Sequence, residues 1–582
     1  MNNVRNQAGM ARPILSRKYR NYKFAHIRQW WLAGRPALFL MIVFIVGLLF
    51  RLWLSRYRFA VGFDEVNYLK LGVSASLYGL SEVLHPYWSP FFPTLIALFA
   101  SLFSDYELAG RLASIVLGAL VPIPVYFLAK KLYTEAISRT AAVIVALFPA
   151  IAFHDTQVLT ESTYAFFLLI TIYLGQKMLI RYSTVYAYLT GLTGALVYLT
   201  RPEGVGVLAV ISGWIVVGSL AKLYLIKPLR MVYLFFALGL GFLPVAAPYL
   251  FYLKQETGRW TLSTKGKANL MMDTAVDGKI PNFRKPDSTY SVVPIDAVFH
   301  TGDFLKYIDQ KADARLQPPK LKPIIQKYIK HFYKMLAEAI PTFFTAIPLI
   351  LLGIGLFGKG WENKQGKPIA YYLSFVIFYW LLVIPLFHIN KRYLIPLWPL
   401  TTIWIAHGLY IIFSWLRYYP PLLKRLVLRK IHPDFAATVI LGTVLFVLVF
   451  LPELGRVLAR NPNSAEYWAD AVEQKKAGLW LRSHTEQPPI IMSRNHAVDF
   501  YAGNYNIRET VTIPNCDLEC VLRYAKNRGV QYLVLNERYA SDYPRLAKLL
   551  QKSGAEFAKD KLELVYWDRD TAGLITVIYK IL

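Results

Sequence analysis

Carboxylates and guanidinium groups recur in this chain at the ends of long apolar runs. Asp64 and Glu65 stand side by side in "AVGFDEVNYL", just past the first of those runs. His154, Asp155 and Glu161 fall in "HDTQVLTESTYAF", Arg201 and Glu203 in "LTRPEG", and His388, Lys391 and Arg392 in "FHINKRYLIPLWPL". An acid pair can deprotonate a hydroxyl or amine nucleophile and orient it for attack. Arginine and lysine can hold a phosphate as it departs, because a planar guanidinium grips phosphate oxygens bidentately. With the phosphate at the membrane face and a lipid tail in the bilayer, such a set suits transfer of a sugar from a polyprenyl phosphate.

Taken singly, each group has a plainer reading. A lone loop carboxylate is usually just solvated. Pro202 and Glu203 make good helix-start chemistry, and Lys391-Arg392 could anchor a span at the headgroups. Convergence is what changes the odds: separated segments bring acids and cations to one face, and ionisable groups at membrane depth are functional candidates by default.

The elements that must position them are membrane spans. The chain has 582 residues, 55% hydrophobic and only 17% charged, with mean hydropathy +0.36. That is too little charge to disperse a soluble surface of this size. Apolar segments, about eleven in all, are read at 37–54, 111–129, 140–153, 161–180, 186–199, 203–220, 231–252, 340–357, 369–387, 393–413 and 435–452. The expected fold class is a polytopic α-helical membrane protein. Pro90–Phe103, with its prolines and limited length, reads as helix lying on or dipping into the membrane surface.

The net charge of +29 does not indicate nucleic acid, since no basic helix with interleaved aromatics or zinc-knuckle spacing accompanies it. Lys and Arg instead fill alternate loops: "AKKLYTEAISR", "QKMLIRYS", "AKLYLIKPLR", "GKGWENKQGK" and "RYYPPLLKRLVLRKIH". The positive-inside bias then puts these loops and the basic residues 1–36 in the cytosol, with the first span a retained anchor. Loops 55–110 and 254–339 and the tail 454–582 fall outside, around a transmembrane region 37–453. In the tail, helical "AEYWADAVEQKKAGLWLRSH" and "LECVLRYAKNRG" alternate with strand-like "PPIIMSR", "VQYLVLN", "LELVYWD" and "LITVIYKI". This is the pattern of a small extracytoplasmic α/β domain. The cysteines, Cys516 and Cys520 in "CDLEC", could form a short-loop disulfide outside the cytosol or stay as thiols.

In these stretches the chain resembles the GT-C superfamily of integral-membrane glycosyltransferases, in particular the branch of protein O-mannosyltransferases and the lipid A aminoarabinose transferase. "FDEVNYL" resembles the Asp-Glu signature after the first span, and "HPYWSPFFPTLIALF" with "GRLASIVLGAL" the proline-containing surface helix and the entry to the second span. "LTESTYAFFLL" resembles the second acidic position, and "KRYLIPLWPL" the Arg-Tyr-x-x-Pro opening of a late span. The resemblance covers about the first 420 residues and is strongest up to Gly204.

The resemblance implies one inverting displacement. Asp64 would be the general base or acceptor-orienting carboxylate, with Glu65 supporting its loop; Glu161 would be the second acid, with Asp155 its rival. Arg201 and Arg392 would hold the donor phosphate, with Lys265 or Lys267 of "STKGKAN" adding to them. Arg111 reads equally as structural. Some members bind a divalent metal near the first loop and others need none, so no cofactor is fixed; His85 and His300 are the loop histidines considered as ligands. The expected partners are a polyprenyl-phosphate-linked sugar, membrane lipids and a lipid, protein or glycan acceptor. The expected location is a bacterial or archaeal cytoplasmic (inner) membrane, with the site facing outside. A ligase using a diphosphate-linked glycan is the near alternative. A transporter is the distant one, because no paired repeat and no mid-membrane charge is visible.

Overall fold

In the computed structural model, helix α1 (Pro36–Leu54) opens on Pro36, whose missing N–H costs nothing in a first turn. At 19 residues it is about 28 Å long, enough to cross a hydrocarbon core. The structure describes residues 35–224, 226–265, 321–358, 367–386, 389–418, 441–466, 469–514 and 516–582. Over these residues every one of the expected apolar segments is helical. Among the described residues eight helices are long and apolar enough to cross a membrane, and nine if Ile325–Phe344 and Ala346–Phe357, bent by 105°, count as one span. The segment at 140–153 divides into Glu135–Leu147 and Pro149–His154, because Pro149 cannot continue the hydrogen-bond ladder. The segment at 186–199 becomes helix Thr184–Thr200, which at 17 residues is marginally short. The protein is a polytopic helical membrane protein.

Between α1 and the next span the chain folds two helices outside the core of the bundle. Helix α2 (Phe63–Tyr78) carries Asp64 and Glu65 in its first turn, where the positive helix end favours them. Helix α3 (Phe91–Ala100) packs Ile96 against Gly72 of α2, where a Cβ would lie 2.5 Å from the Ile96 side chain. Ile96 and Phe92 are fully buried while Leu98 stays exposed, the two-sided character expected of a helix at an interface. Helix α4 (Glu161–Arg181) begins on the second acid, and helices α5 (Thr184–Thr200) and α6 (Pro228–Thr257) cross closely beside it. Gly191 and Gly241 permit that crossing: a Cβ on either would run into the backbone carbonyl of Leu238 or Tyr188.

Beyond the last span the chain builds a five-stranded sheet in the order β2-β1-β3-β5-β4. The strands are β1 (Ile491–Ser493), β2 (Val511–Thr512), β3 (Tyr532–Asn536), β4 (Leu562–Arg569) and β5 (Ile575–Ile581). β1 pairs in parallel with β2 and β3, and β5 is antiparallel to β3 and β4. The buried run from Leu533 to Asn536 in β3 is what a strand covered on both faces requires. Cys516 and Cys520 form a disulfide at the start of helix Leu518–Asn527.

This sheet domain is seated on the loop after α1. The phenol of Tyr501 donates to Glu107 (2.8 Å) and accepts from the Val61 N–H (3.1 Å), and Lys475 pairs with Glu107 at 2.8 Å. Ala497, Phe500, Tyr501 and Ile507 share one apolar cluster with Ala60, Val61, Leu69 and Trp88. The bundle end, the first loop and the sheet domain are therefore one packed body. Gly241→Leu should force α5 and α6 apart and lower stability by about 1–3 kcal/mol. A drop of several degrees in the melting temperature of the purified protein in detergent micelles checks this.

Candidate active site

Local sequence explains how each charged side chain reaches the same place. Arg201 precedes Pro202, which disfavours helical backbone in the residue before it, so Arg201 is extended (φ −148°, ψ 127°) and α5 stops there. Gly204 follows and lets the chain turn tightly, because a Cβ there would sit 2.6 Å from Val197. Arg392 lies in the 3-10 turn Lys391–Leu397 and donates its own backbone N–H to the capping Asn390 side chain at 3.0 Å. Glu161 is the first residue of α4 and Asp64 the second of α2.

These residues form an alternating chain of charge. Asp64 accepts from Arg392 at 2.6 Å, the Nε of Arg392 lies 3.8 Å from Glu161, and Glu161 lies 3.3 Å from Arg201. Arg201 also donates to Glu203 at 2.9 Å. The guanidinium of Arg201 faces the Tyr164 and Tyr393 rings at 5.8 Å and 5.5 Å, and that of Arg392 faces Tyr393 at 5.7 Å. Exposure divides the acids. The Glu161 side chain is 2% exposed and that of Asp64 38%, so Asp64 is the one an incoming molecule can touch. One Glu161 oxygen (Oε2), the Tyr164 hydroxyl and Thr163 Oγ1 are buried without a hydrogen-bond partner among the described residues.

Lys265 approaches from the loop after α6. Its ammonium faces Tyr87 at 5.3 Å and Trp88 at 5.7 Å, and Thr264 ties the segment down by donating to the Pro86 carbonyl at 2.5 Å. Burial draws the Lys265 ammonium below the ordinary lysine value; Glu203 and Asp64 oppose that while Arg201 and Arg392 reinforce it. Lys267, His300 and His388 lie outside the described residues.

Two of the expected acids stand apart from this chain of charge. Asp155 is buried against Arg51 of α1 (2.8 and 2.9 Å) and accepts from Ser162 at 2.7 Å. Gly118 leaves room for it, since a Cβ there would lie 2.6 Å from its carboxyl. Asp155, expected as the rival of Glu161, is thus paired with Arg51 and does not join the chain of charge that holds Glu161. Glu65 turns away from Asp64 and accepts the Val158 N–H at 2.9 Å and Gln157 at 3.4 Å. Burial pushes its carboxyl up, with Arg111 and Arg58 pulling the other way. It braces the loop that leads into Glu161. Arg111 is likewise occupied, by Glu107 and the Thr156 carbonyl.

Among the described residues, the side chain considered as a metal ligand is already engaged. His85 is buried, and its Nδ1 already accepts the Tyr87 and Trp88 N–H groups. Among the described residues no group of three or more His, Cys, Asp or Glu side chains is placed to hold an ion. Sequence reasoning missed Arg51, Tyr164 and Tyr393. Arg51 was legible as the one charge interrupting the first apolar run, whereas the two tyrosines were lost among the 39 of the chain.

Residues 85–252 match the family model described as dolichyl-phosphate-mannose-protein mannosyltransferase. That range holds Glu161 and Arg201, while Asp64 and Arg392 flank it. No curated protein matches the chain by sequence. Among solved structures, the oligosaccharyltransferase of Archaeoglobus fulgidus in its apo form is similar at 13% identity and TM-score 0.56, over 94% of this chain and 75% of that one. The complex of AglB from Archaeoglobus fulgidus with an inhibitory peptide and a dolichol-phosphate gives 12% identity and TM-score 0.52, over 92% and 74%. ArnT from Cupriavidus metallidurans in the apo state gives 13% identity and TM-score 0.50, over 94% and 98%. The chain has the GT-C fold that the sequence motifs resemble. Arg51→Met should leave Asp155 buried with only Ser162 beside it and cost about 3–5 kcal/mol. Thermal unfolding in micelles reads it, and Arg51→Met with Asp155→Leu should recover most of the loss.

Proposed function

We propose that the protein moves a sugar from a polyprenyl-phosphate carrier to an acceptor hydroxyl or amine, in one inverting displacement at the non-cytosolic face of the membrane. The observation that carries this is the solvent-reachable Asp64 carboxylate joined through Arg392 to a buried Glu161–Arg201 pair. The acceptor's nucleophile attacks the sugar's anomeric carbon while Asp64 takes its proton, and the bond from that carbon to the phosphate oxygen breaks. Arg201 and Arg392 hold the departing phosphate, and Lys265, with Lys267 as the further candidate, adds positive charge beside it. Glu161 keeps both guanidinium groups in register.

The match of residues 85–252 to a mannosyltransferase family model supports a lipid-linked donor, as does the likeness in fold to an enzyme whose structure holds a dolichol-phosphate. Support for the proposed orientation comes from the Lys- and Arg-rich stretches "AKKLYTEAISR", "QKMLIRYS" and "AKLYLIKPLR" between spans and from the Cys516–Cys520 disulfide, which suits an oxidising compartment. The proposed acceptors are a lipid, a protein or a glycan.

A diphosphate-linked donor is the second reading, favoured by the similarity in fold to an oligosaccharyltransferase. Offering purified protein both donor classes and following which is consumed separates the two. Asp64→Asn should slow transfer by about 10²–10⁴-fold while dolichyl phosphate still binds; unchanged turnover would remove Asp64 as the base. Arg392→Gln should instead weaken dolichyl phosphate binding, by about 10- to 100-fold for one lost charge-assisted contact. Unaltered binding would take Arg392 out of the phosphate site.

A further inference from the structure

The end of α2 that bears Asp64 is held by the sheet domain as well as by the bundle. Phe63, the residue before Asp64, meets Tyr539 edge to face at 5.6 Å, and the guanidinium of Arg494 lies 5.3 Å over its ring. Two turns further on, Lys70 is fully buried. Its ammonium donates to Thr510 Oγ1 at 2.7 Å and reaches Asp499 and the Asn506 carbonyl, each at 3.4 Å. Ser74, one turn beyond Lys70, donates to the Tyr505 carbonyl at 2.7 Å. All of these partners belong to the segment 494–539 of the sheet domain.

A buried lysine–aspartate pair is an expensive way to join two surfaces. Taking both charges out of water costs several kcal/mol, which an apolar contact would not. What such a pair supplies is geometry, since its groups bond only at one registry of the two surfaces. Asp499 is itself enclosed, with His496 Nδ1 at 3.5 Å from the same oxygen that Lys70 reaches and the other oxygen lacking a bonded partner among the described residues. Lys70 stands six residues after Asp64, about 9 Å along the helix axis. A small rotation or slide of α2 would carry Asp64 away from Arg392, and an error near 1 Å in a reacting group costs on the order of 10²-fold in rate.

We propose that Lys70, with Asp499 and Thr510 of the sheet domain, is a positioning group that fixes the rotation and height of α2 and thereby aims Asp64 at the acceptor. The proposal rests on the transfer reaction put forward above. It makes the C-terminal domain part of the reaction's scaffold: Lys70 touches neither donor nor acceptor and acts through Asp64.

The test uses the full-length protein in micelles and the double variant Lys70→Met with Asp499→Asn. Removing both charges leaves no unpaired ion, so the variant should fold with a melting temperature close to that of the parent. If Lys70 positions Asp64, kcat falls at least tenfold, dolichyl phosphate binds within about twofold of the parent affinity, and α2 amides exchange faster with solvent. Lys70→Arg with Asp499 intact should restore much of the rate. A double variant with parental kcat and parental α2 exchange would overturn the proposal, because a merely structural pair is replaceable by neutral packing. If the parent transfers sugar from neither donor class, the functional reading fails by itself. Amide exchange then decides the clamp: faster exchange in α2 upholds it and unchanged exchange overturns it.

Discussion

Charge buried at the rim of a helix bundle is the constraint on which the rest of this structure depends. An isolated guanidinium or carboxylate placed there would be too costly to keep, so each must meet an opposite charge from another segment. Asp64, Arg392, Glu161, Arg201 and Glu203 solve that requirement jointly, each sharing its neighbour. The same requirement is met separately a short distance away by Arg51, Asp155 and Ser162. One set ends in a carboxylate that solvent can reach and the other is closed. That difference in exposure separates the candidate chemistry from the scaffold.

A second consequence is that the site is not owned by any one element. A proline just after the end of α5 sets Arg201, a capped 3-10 turn sets Arg392, and helix starts set Asp64 and Glu161. The sheet domain then grips this region through Tyr501, Lys475 and Asp499, the last meeting Lys70 of α2. The matched family region, 85–252, spans only the middle of this assembly. Whatever enters must therefore do so between parts whose relative placement is fixed by packing.

Much of this was legible in the chain itself, for physical reasons. Lipid forces backbone to pair within its own segment, so apolar runs become helices wherever length allows, and the remaining charge collects at their ends. That placed Asp64, Glu161, Arg201 and Arg392 together before any coordinates did. Strand-like runs in the tail were equally plain, apart from β2, whose two residues carry no period of their own. Pairing was not legible. Nothing local tells that Asp155 faces Arg51 rather than Arg201, or that Glu65 points to Val158 while its neighbour Asp64 points to Arg392. Adjacent helix residues diverge by about 100°, so a Glu next to an exposed Asp can serve a different wall. Lys70 was missed because one lysine within a helix reads as solvated until a distant segment is seen to cover it.

The most direct measurement is a cryo-EM structure of the protein in lipid nanodiscs with a polyprenyl phosphate bound. The account requires the phosphate within hydrogen-bonding distance of both Arg201 and Arg392, with Asp64 released from Arg392 and open to the space beside the phosphate. Density for the phosphate at the other end of the bundle, or away from both guanidinium groups, would contradict it.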